Sequence, residues 1–261
     1  MDTKLTGKTR IESDLIGARE IPAEALYGVQ TLRGIENFSI SKFRLSEYPL
    51  FIKGLAITKM AAAMANFELG LLTVEQKDAI IAACGEILDG KHHDQFPVDM
   101  IQGGAGTTTN MNANEVIANR ALELMGHERG EYQYCSPNDH VNCSQSTNDA
   151  YPTAIHIGMY FKHLQLLPHL EELIASFRKK GEEFSQIIKM GRTQLEDAVP
   201  MTLGQTFNGF ASILQDEIAH LNEAAADFLV VNMGATAIGT GICAEPGYAE
   251  KCIAALREIT G

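Results

Sequence analysis

Two long segments of this chain carry apolar residues at spacings of three and four, which is the pattern of an amphipathic α-helix. Helices of about 28 residues are roughly 40 Å long and far exceed the average globular helix. We therefore predict an all-α protein built on part of a long central helical bundle. The apolar positions are Ile157, Phe161, Leu164, Leu167, Leu170, Ile174 and Phe177, then Phe207, Phe210, Leu214, Ile218, Leu221, Ala225 and Phe228.

These two helices need more apolar surface to pack against than the rest of the sequence supplies. With 261 residues, 45% of them apolar, the chain can bury a sizeable core as one large domain or two smaller ones. We predict an N-terminal, mainly helical domain over residues 1–148 and the first part of the bundle over residues 149–261. We also expect the chain either to oligomerise or to be a piece of something longer.

The N-terminal part contains two further helix signals. Residues 49–69 are rich in Ala, Leu, Met and Lys, which are good helix formers. Thr73 and Gln76 have the spacing of a capping box, which predicts a second helix directly afterwards. Residues 1–48 instead alternate short polar and apolar pieces, which favours extended loops with a short hairpin over a helix.

The C-terminal part gives three more predictions. Pro168 lies inside the first long helix and should kink it, because proline lacks a backbone N–H. A short helix is expected over residues 182–189. Residues 231–247 are expected to form a Gly-rich loop, followed by a final helix from Tyr248.

The charge balance excludes some classes of partner. There are 33 acidic and 21 basic residues, a formal charge of −12, and no basic run is longer than three. Nucleic acid and anionic membranes are therefore disfavoured. A small anionic ligand stays open, because local donors in a pocket can outweigh a diffuse net charge.

Cysteine usage and hydropathy indicate a cytoplasmic location. The five cysteines are odd in number and form no C-x-x-C pair, which predicts neither a disulfide framework nor a thiolate zinc site. The N-terminus lacks the apolar core of an export signal, and no run of apolar residues is long enough to span a membrane.

Three stretches, residues 101–116, 135–149 and 191–205, are dense in short polar side chains. Hydroxyl and amide groups are those that fix a small polar ligand by hydrogen bonds. A helix-capping turn explains the second stretch equally well when it is taken alone, but three stretches of the same character favour a site. The candidate donors are Thr107, Ser146, Thr147, Asn148, Thr193 and Gln194.

Neutral donors of this kind suit negative charge that develops on a carboxylate, as when a proton leaves the neighbouring carbon to give an enediolate. No obvious base accompanies them. Asp139 and His140 are a candidate acid/base pair, but adjacent side chains rarely point at one another, so we expect a local structural role.

His92, His93 and Asp94 are interpreted as a solvated turn rather than a metal site. Motifs of serine hydrolases, zinc proteases and P-loop proteins are absent from the sequence.

In order and spacing, the segments GTTTNMNANEVIAN, PNDHVNCSQSTND and GRTQLEDAVPMTLGQ resemble conserved regions of the aspartase/fumarase superfamily. The resemblance covers the whole chain. Within the superfamily, DQFPVDMIQGGAGT, ELMGHERGEYQY and VNMGATAIGTG are most similar to the aspartase branch.

The resemblance implies reversible elimination of ammonia from L-aspartate to give fumarate, through abstraction of the β-proton and an enediolate. It implies that four residues hold the substrate carboxylates and the enediolate, namely Thr107, Ser146, Thr147 and Asn148. Thr193 would assist substrate binding, and Gln194, which stands where some aspartases keep a His, is expected to contact the substrate too. It further implies a homotetramer whose active sites combine three chains. No cofactor is expected, while activation by a divalent metal stays open.

One departure from the superfamily pattern matters most. The family's catalytic serine lies in a flexible Gly-Ser-Ser loop that ends in a Lys and Asn-Pro pattern, and no such segment occurs here. We therefore expect no catalytic residue within this chain and no turnover by the chain alone. A fumarate hydratase and a non-catalytic helical fragment are the alternatives. Argininosuccinate- and adenylosuccinate-type lyases fit the GGAGT and GEYQY stretches poorly.

Overall fold

The computed structural model describes residues 7–261 and is predominantly helical, with two small antiparallel hairpins. The predicted helical fold class is confirmed, and the second hairpin is an addition to it. The elements are β1 (Thr9–Asp14), β2 (Gly17–Pro22), α1 (Val29–Asn37), α2 (Pro49–Glu68), α3 (Val74–Leu88), α4 (Thr107–Leu124), α5 (Thr147–Glu183), β3 (Ile188–Thr193), β4 (Glu196–Thr202), α6 (Leu203–Ala226) and α7 (Tyr248–Thr260).

The chain divides into two compact units. Unit 1 extends to Gly158 and includes Val231–Gly261, while unit 2 is Met159–Val230. Residues 231–261 belong to unit 1 because α7 packs on α2. The division into domains 1–148 and 149–261 stays a prediction, and residues 1–6 lie outside the described part.

Helix α2 forms the centre of unit 1 and packs against α3, α4 and α7. Gly54 allows α5 to approach it closely, because a Cβ at this position would lie only 2.2 Å from the Ala154 carbonyl oxygen. In the described part of the chain, α2 is the one helix long and apolar enough to cross a membrane. The structure buries 72% of its apolar window, as in the core helix of a globular unit.

Most helices predicted from local signals are confirmed. The α2 helix covers nearly all of residues 49–69, and α7 begins at Tyr248 as expected. At the start of α3, the Gln76 N–H donates to the Thr73 hydroxyl at 3.2 Å, and the Thr73 N–H donates to the Gln76 side chain at 3.1 Å. This is the predicted capping box.

The N-terminal segment combines one correct and one wrong prediction. Strands β1 and β2 form the expected short hairpin. Helix α1, however, occupies a segment for which the sequence predicts a loop. Its first turn donates N–H groups of Gln30 and Thr31 to the buried Glu115 carboxylate at 2.8 and 3.0 Å. The cap that stabilises this helix is therefore a tertiary contact with α4.

Unit 2 contains the C-terminal part of α5, the β3–β4 hairpin and α6. The short helix predicted over residues 182–189 is wrong, because α5 runs to Glu183 and β3 starts at Ile188. Helix α5 remains continuous through Pro168. Inside the unit, the rings of Phe177, Phe184, Phe207 and Phe210 pack together with centroid separations of 5.4 to 6.2 Å.

Candidate active site

Three of the predicted donors form the first residues of α5 and the turn before it. Ser146 precedes the helix, and its hydroxyl accepts a hydrogen bond from the Asn148 N–H at 3.2 Å. The Ser146 N–H in turn donates to the Asp149 carboxylate at 2.9 Å. This reciprocal arrangement is a helix cap. The capping and the ligand-binding interpretations of this stretch are therefore compatible.

Asp149 is fully buried and ties the start of α5 to the Gly-rich loop 231–247. Its second carboxylate oxygen accepts hydrogen bonds from the Gly234 N–H at 3.1 Å and the Thr236 N–H at 2.9 Å. The Asn148 side chain donates to the Ala237 carbonyl at 2.8 Å. Hydrogen bonds thus connect the loop directly to the polar turn within unit 1.

The hydroxyls of Ser146 and Thr147 each accept one hydrogen bond and keep their own proton. The Thr147 hydroxyl accepts a hydrogen bond from the Asn110 side-chain amide at 3.1 Å, as the Ser146 hydroxyl does from Asn148. A hydroxyl has a single proton, and neither of these acceptor bonds uses it. Each group therefore has a proton available for a ligand oxygen, which is the polarity that a carboxylate requires.

A cluster of amides lies beneath this turn, around a buried lysine. The Lys59 ammonium donates to the Asn142 side-chain oxygen at 2.9 Å and to the Gln145 side-chain oxygen at 2.8 Å. The same Asn142 oxygen accepts bonds from the Asn110 and Asn114 amides, each at 3.1 Å. Burial lowers the pKa of Lys59 to about 7.

Thr107 is the exposed first residue of α4 and follows the glycine loop. Gly106 has a φ of 91°, and a Cβ there would lie 2.4 Å from the Tyr151 ring of α5. Since Asn110 also contacts Thr147, the first turn of α4 lies against the start of α5. The structure thus brings the Thr107 segment to the Ser146–Asn148 turn.

Thr193 and Gln194 belong to unit 2 and are exposed at the turn between β3 and β4. Thr193 pairs with Glu196, and the turn residues Gln194 and Leu195 have φ values of 46° and 72°. These values are typical of a tight two-residue hairpin turn, although neither residue is glycine. The role of Thr193 and Gln194 in a site stays a prediction.

Asp139 and His140 are engaged in separate local contacts, as expected for adjacent residues. The Asp139 carboxylate accepts a hydrogen bond from the Ser136 hydroxyl at 2.9 Å, and the His140 Nδ1 accepts one from the Ser136 N–H at 2.7 Å. Burial lowers the pKa of His140, which favours the neutral ring. The two side chains thus form no direct acid/base pair with each other.

The His92–Asp94 segment is a turn, as predicted. The His92 ring contacts Glu86 at 2.8 Å, and the His93 ring contacts the Ile87 carbonyl at 2.9 Å. Across residues 7–261, no group of three or more His, Cys, Asp or Glu side chains is arranged to hold a metal ion.

Sequence reasoning missed the amide cluster. The composition of residues 49–69 indicates Lys59 only as a helix former, although a single cation in the apolar run GLAITKMAAAMAN is itself a sign of a buried charge. Asn110 and Asn142 lie within the polar stretches, but their support of Thr147 depends on contacts between α2, α4 and the turn before α5.

A protein-family model described as Lyase matches residues 17–261. The chain belongs to this lyase family. An aspartate ammonia-lyase from Pseudomonas canavaninivorans is 56% identical over 97% of this chain and 53% of its own length. An aspartate ammonia-lyase from Escherichia coli strain K12 is 54% identical over 98% of this chain and 54% of its own length. The chain spans about half the length of these curated relatives.

Solved structures of lyase-family proteins share this fold. A fumarate lyase:delta crystallin from Brucella melitensis, bound to cobalt, has a TM-score of 0.93 and 53% identity over 97% of this chain and 55% of its own. A class II fumarase from Schistosoma mansoni has a TM-score of 0.89 and 36% identity over 97% of this chain and 53% of its own. The resemblance to the aspartase/fumarase superfamily is confirmed.

Proposed function

We propose that this chain forms part of an aspartate ammonia-lyase, which reversibly removes ammonia from L-aspartate to give fumarate. The observation that carries the proposal is that the Ser146 and Thr147 hydroxyls act as acceptors within the protein and so keep their protons for a ligand, in a chain 54% to 56% identical to aspartate ammonia-lyases. A site of neutral donors fits a dicarboxylate better than it fits a cation or an apolar ligand.

In this proposal the donors bind the substrate and stabilise the charge that develops during proton abstraction. Thr107, Ser146, Thr147 and Asn148 would contact the carboxylate oxygens, Thr193 would assist substrate binding, and Gln194 would contact the substrate too. Loss of the β-proton converts the adjacent carboxylate into an enediolate, and the amino group then leaves. A preorganised donor stabilises such a transition state by about 3 to 4 kcal/mol.

The base would lie in a segment outside these 261 residues. Asp149 has both carboxylate oxygens engaged by backbone N–H groups, and the accepting nitrogen of His140 is engaged by Ser136. The family's serine loop is absent from the 261 residues. The chain would therefore act together with a further segment that supplies this serine.

We also propose assembly as a homotetramer in the cytoplasm. Large apolar side chains of unit 2 are exposed, including Phe210 at 47%, Ile213 at 62% and Leu173 at 43%. Apolar surface of this kind on a long helix is suited to packing against other helices. No cofactor is proposed, and activation by a divalent metal is a separate question for the assembled protein.

The test adds L-aspartate to the purified chain and follows the ultraviolet absorbance of fumarate together with released ammonia. The same assay is repeated after mixing the chain with the C-terminal half of the Escherichia coli relative. We expect no turnover alone and turnover in the mixture. Turnover by the chain alone would contradict the assignment of the base to another segment. Well-folded halves that associate without turnover would favour the non-catalytic fragment.

A matched pair of variants tests the donor assignment in the active mixture. Thr147→Val removes the hydroxyl at nearly constant volume, and we expect roughly a 100-fold loss of kcat/KM. Thr260→Val makes the same change at the end of α7, where the hydroxyl bonds to the Leu256 carbonyl, and should leave kcat/KM unchanged. Equal activity of the two variants would exclude Thr147 from the site.

Fumarate hydration is a second candidate, favoured by the fold similarity to the class II fumarase. The same donors would stabilise the same type of enediolate, with water in place of ammonia. Formation of malate from fumarate, without ammonia release from aspartate, would favour this alternative.

A further inference from the structure

Lys59 combines features that rarely occur together at a structural position. The side chain has no exposed surface, and its ammonium contacts two neutral amide oxygens. Asp149 raises the pKa of Lys59 through space, whereas burial lowers it more strongly, and no carboxylate within residues 7–261 forms an ion pair with the ammonium. A buried charge without a paired countercharge is costly, so its retention calls for a role.

The Lys59 ammonium acts on the orientation of the Asn142 amide, which the Asn142 nitrogen supports by donating to the Gln145 carbonyl at 3.2 Å. A lysine ammonium can only donate, so the Asn142 oxygen, and not its nitrogen, must face it. Asn110 must then present its nitrogen to the same oxygen. That nitrogen also bonds to the Thr147 hydroxyl, which is thereby the acceptor.

Reversing any amide in this series would place two acceptors or two donors face to face. Asn114 adds a third donor to the Asn142 oxygen at 3.1 Å, which fixes the Asn142 amide from another side. The Asn66 amide and the Gln145 amide both donate to the Cys143 carbonyl, at 2.9 and 3.1 Å, and hold the backbone of the turn. A series of hydrogen bonds thus connects Lys59 on α2 to the hydroxyl of Thr147, the first residue of α5.

We infer that Lys59 is a positioning residue for the anion site, which through Asn142 and Asn110 sets the Thr147 hydroxyl to donate its proton to a substrate carboxylate. The inference rests on the proposed function, because it assigns Thr147 a carboxylate ligand. Lys59 itself does not touch the substrate. Its contribution is the polarity of the cluster, and the lowered pKa of the ammonium agrees with a group that is held in a low-dielectric environment.

The first experiment uses NMR to follow the hydrogen bonds of the amide cluster and does not depend on turnover. Lys59→Met preserves much of the side-chain volume but removes the donor, and Lys53→Met makes the same substitution on the same helix outside the cluster. We expect NMR shifts of the Asn110 side-chain amide and the Thr147 methyl group in Lys59→Met, and none in Lys53→Met. Unchanged signals in a folded Lys59→Met protein would overturn the inference, whatever the activity of the assembled protein.

A second variant keeps the inference testable if Lys59→Met does not fold. Asn110→Ala removes the bridge to Thr147 and leaves the contact between Lys59 and Asn142 in place. In the active mixture, we expect each single variant to lower kcat about 10- to 100-fold, the range known for groups that orient a ligand-binding residue. The double variant should be no worse than the single ones, because both break one series of bonds. Additive losses would overturn the inference.

Rescue by a small amine separates polarity from packing. Lys59→Ala leaves room for an alkylammonium ion, which can restore a donor to the Asn142 oxygen. We expect methylammonium to recover kcat at least tenfold in Lys59→Ala and to have no effect on Asn110→Ala. No recovery in Lys59→Ala, or an equal recovery in Asn110→Ala, would overturn the inference. If the mixture shows no turnover with the unchanged chain, the proposed function fails, while the NMR result still decides the role of Lys59.

Discussion

Asp149 on α5 accepts a hydrogen bond of 2.9 Å from the backbone N–H of Thr236, a residue far away in the chain. Thr236 has a φ of 57°, a conformation that turns its N–H and that of Gly234 toward the same carboxylate oxygen. Since Ser146 and Asn148 flank this carboxylate, the Gly-rich loop is part of the framework of the candidate site. A substitution at Asp149 should therefore weaken the attachment of the Gly-rich loop 231–247.

The first prediction concerns Asp149→Asn. An amide nitrogen must face at least one backbone N–H in place of an oxygen, which leaves a buried donor unpaired. We expect a loss of about 1 to 3 kcal/mol in the free energy of unfolding and faster proteolysis within residues 231–247. Asp78→Asn, at a side chain that is 61% exposed, is the control for urea unfolding and should change little. Equal midpoints for the two variants would contradict the anchoring role.

The second prediction concerns Gly106, where both conformation and space require glycine. A Cβ would lie 2.4 Å from the Tyr151 ring, and the φ of 91° disfavours any side chain. We expect Gly106→Ala to lose about 2 kcal/mol or more of unfolding free energy. Gly85→Ala on α3 meets open space and should gain about 0.5 to 1 kcal/mol. Thermal unfolding of both variants measures these changes. A Gly106→Ala protein as stable as the unchanged chain would show that the α4–α5 contact can adjust to a Cβ.

The features that sequence reasoning predicts correctly depend on neighbours in the chain. The Thr73–Gln76 capping box and the apolar periodicity of α6 are local patterns, and both hold in the structure. The donor turn before α5 was identifiable for the same reason, since Ser146, Thr147 and Asn148 are consecutive. Local hydrogen bonding and helical period are sufficient to specify these elements.

The features that were missed depend on contacts between distant segments. Helix α1 is capped by Glu115 of α4, and no residue near α1 signals that cap. The β3–β4 hairpin turns at Gln194 and Leu195, where the usual glycine is absent, so its turn signal is weak. Lys59 is recognised as buried only once α2 is known to be surrounded by other helices.

The third prediction is that the stability of the protein depends on pH through Asp99. The Asp99 carboxylate connects residues 40–41 to Ile101, which lies just before the glycines of residues 103–106. The Ser41 hydroxyl and backbone N–H groups of Ser41, Ile40 and Ile101 donate to this carboxylate and lower its pKa from the ordinary 3.8 to about 2, against the effect of burial. A folded-state pKa below the unfolded value gives a stabilisation that is complete above about pH 4 and is lost as the pH falls through about 2.

Asp99→Asn removes that pH-dependent contribution. We expect the difference in unfolding free energy between the unchanged chain and Asp99→Asn to be largest near neutral pH and to shrink steadily below about pH 4. Asp216→Asn, on the exposed side of α6, serves as the reference for general acid effects. A difference that stays constant down to about pH 2 would mean that the bonds to Asp99 do not depend on its charge.

The last prediction concerns thiol reactivity, because the five cysteines differ sharply in environment. Cys84, Cys135 and Cys252 are buried, and burial raises the pKa of each thiol to about 12, so that almost no reactive thiolate forms near neutral pH. Cys143 is half-buried with a raised pKa, whereas Cys243 is exposed in the Gly-rich loop. A disulfide reagent should therefore modify Cys243 rapidly, Cys143 slowly and the other three only after unfolding. Cys243→Ser should abolish the fast phase alone, and a fast phase that persists in this variant would show that unit 1 opens to expose an interior thiol.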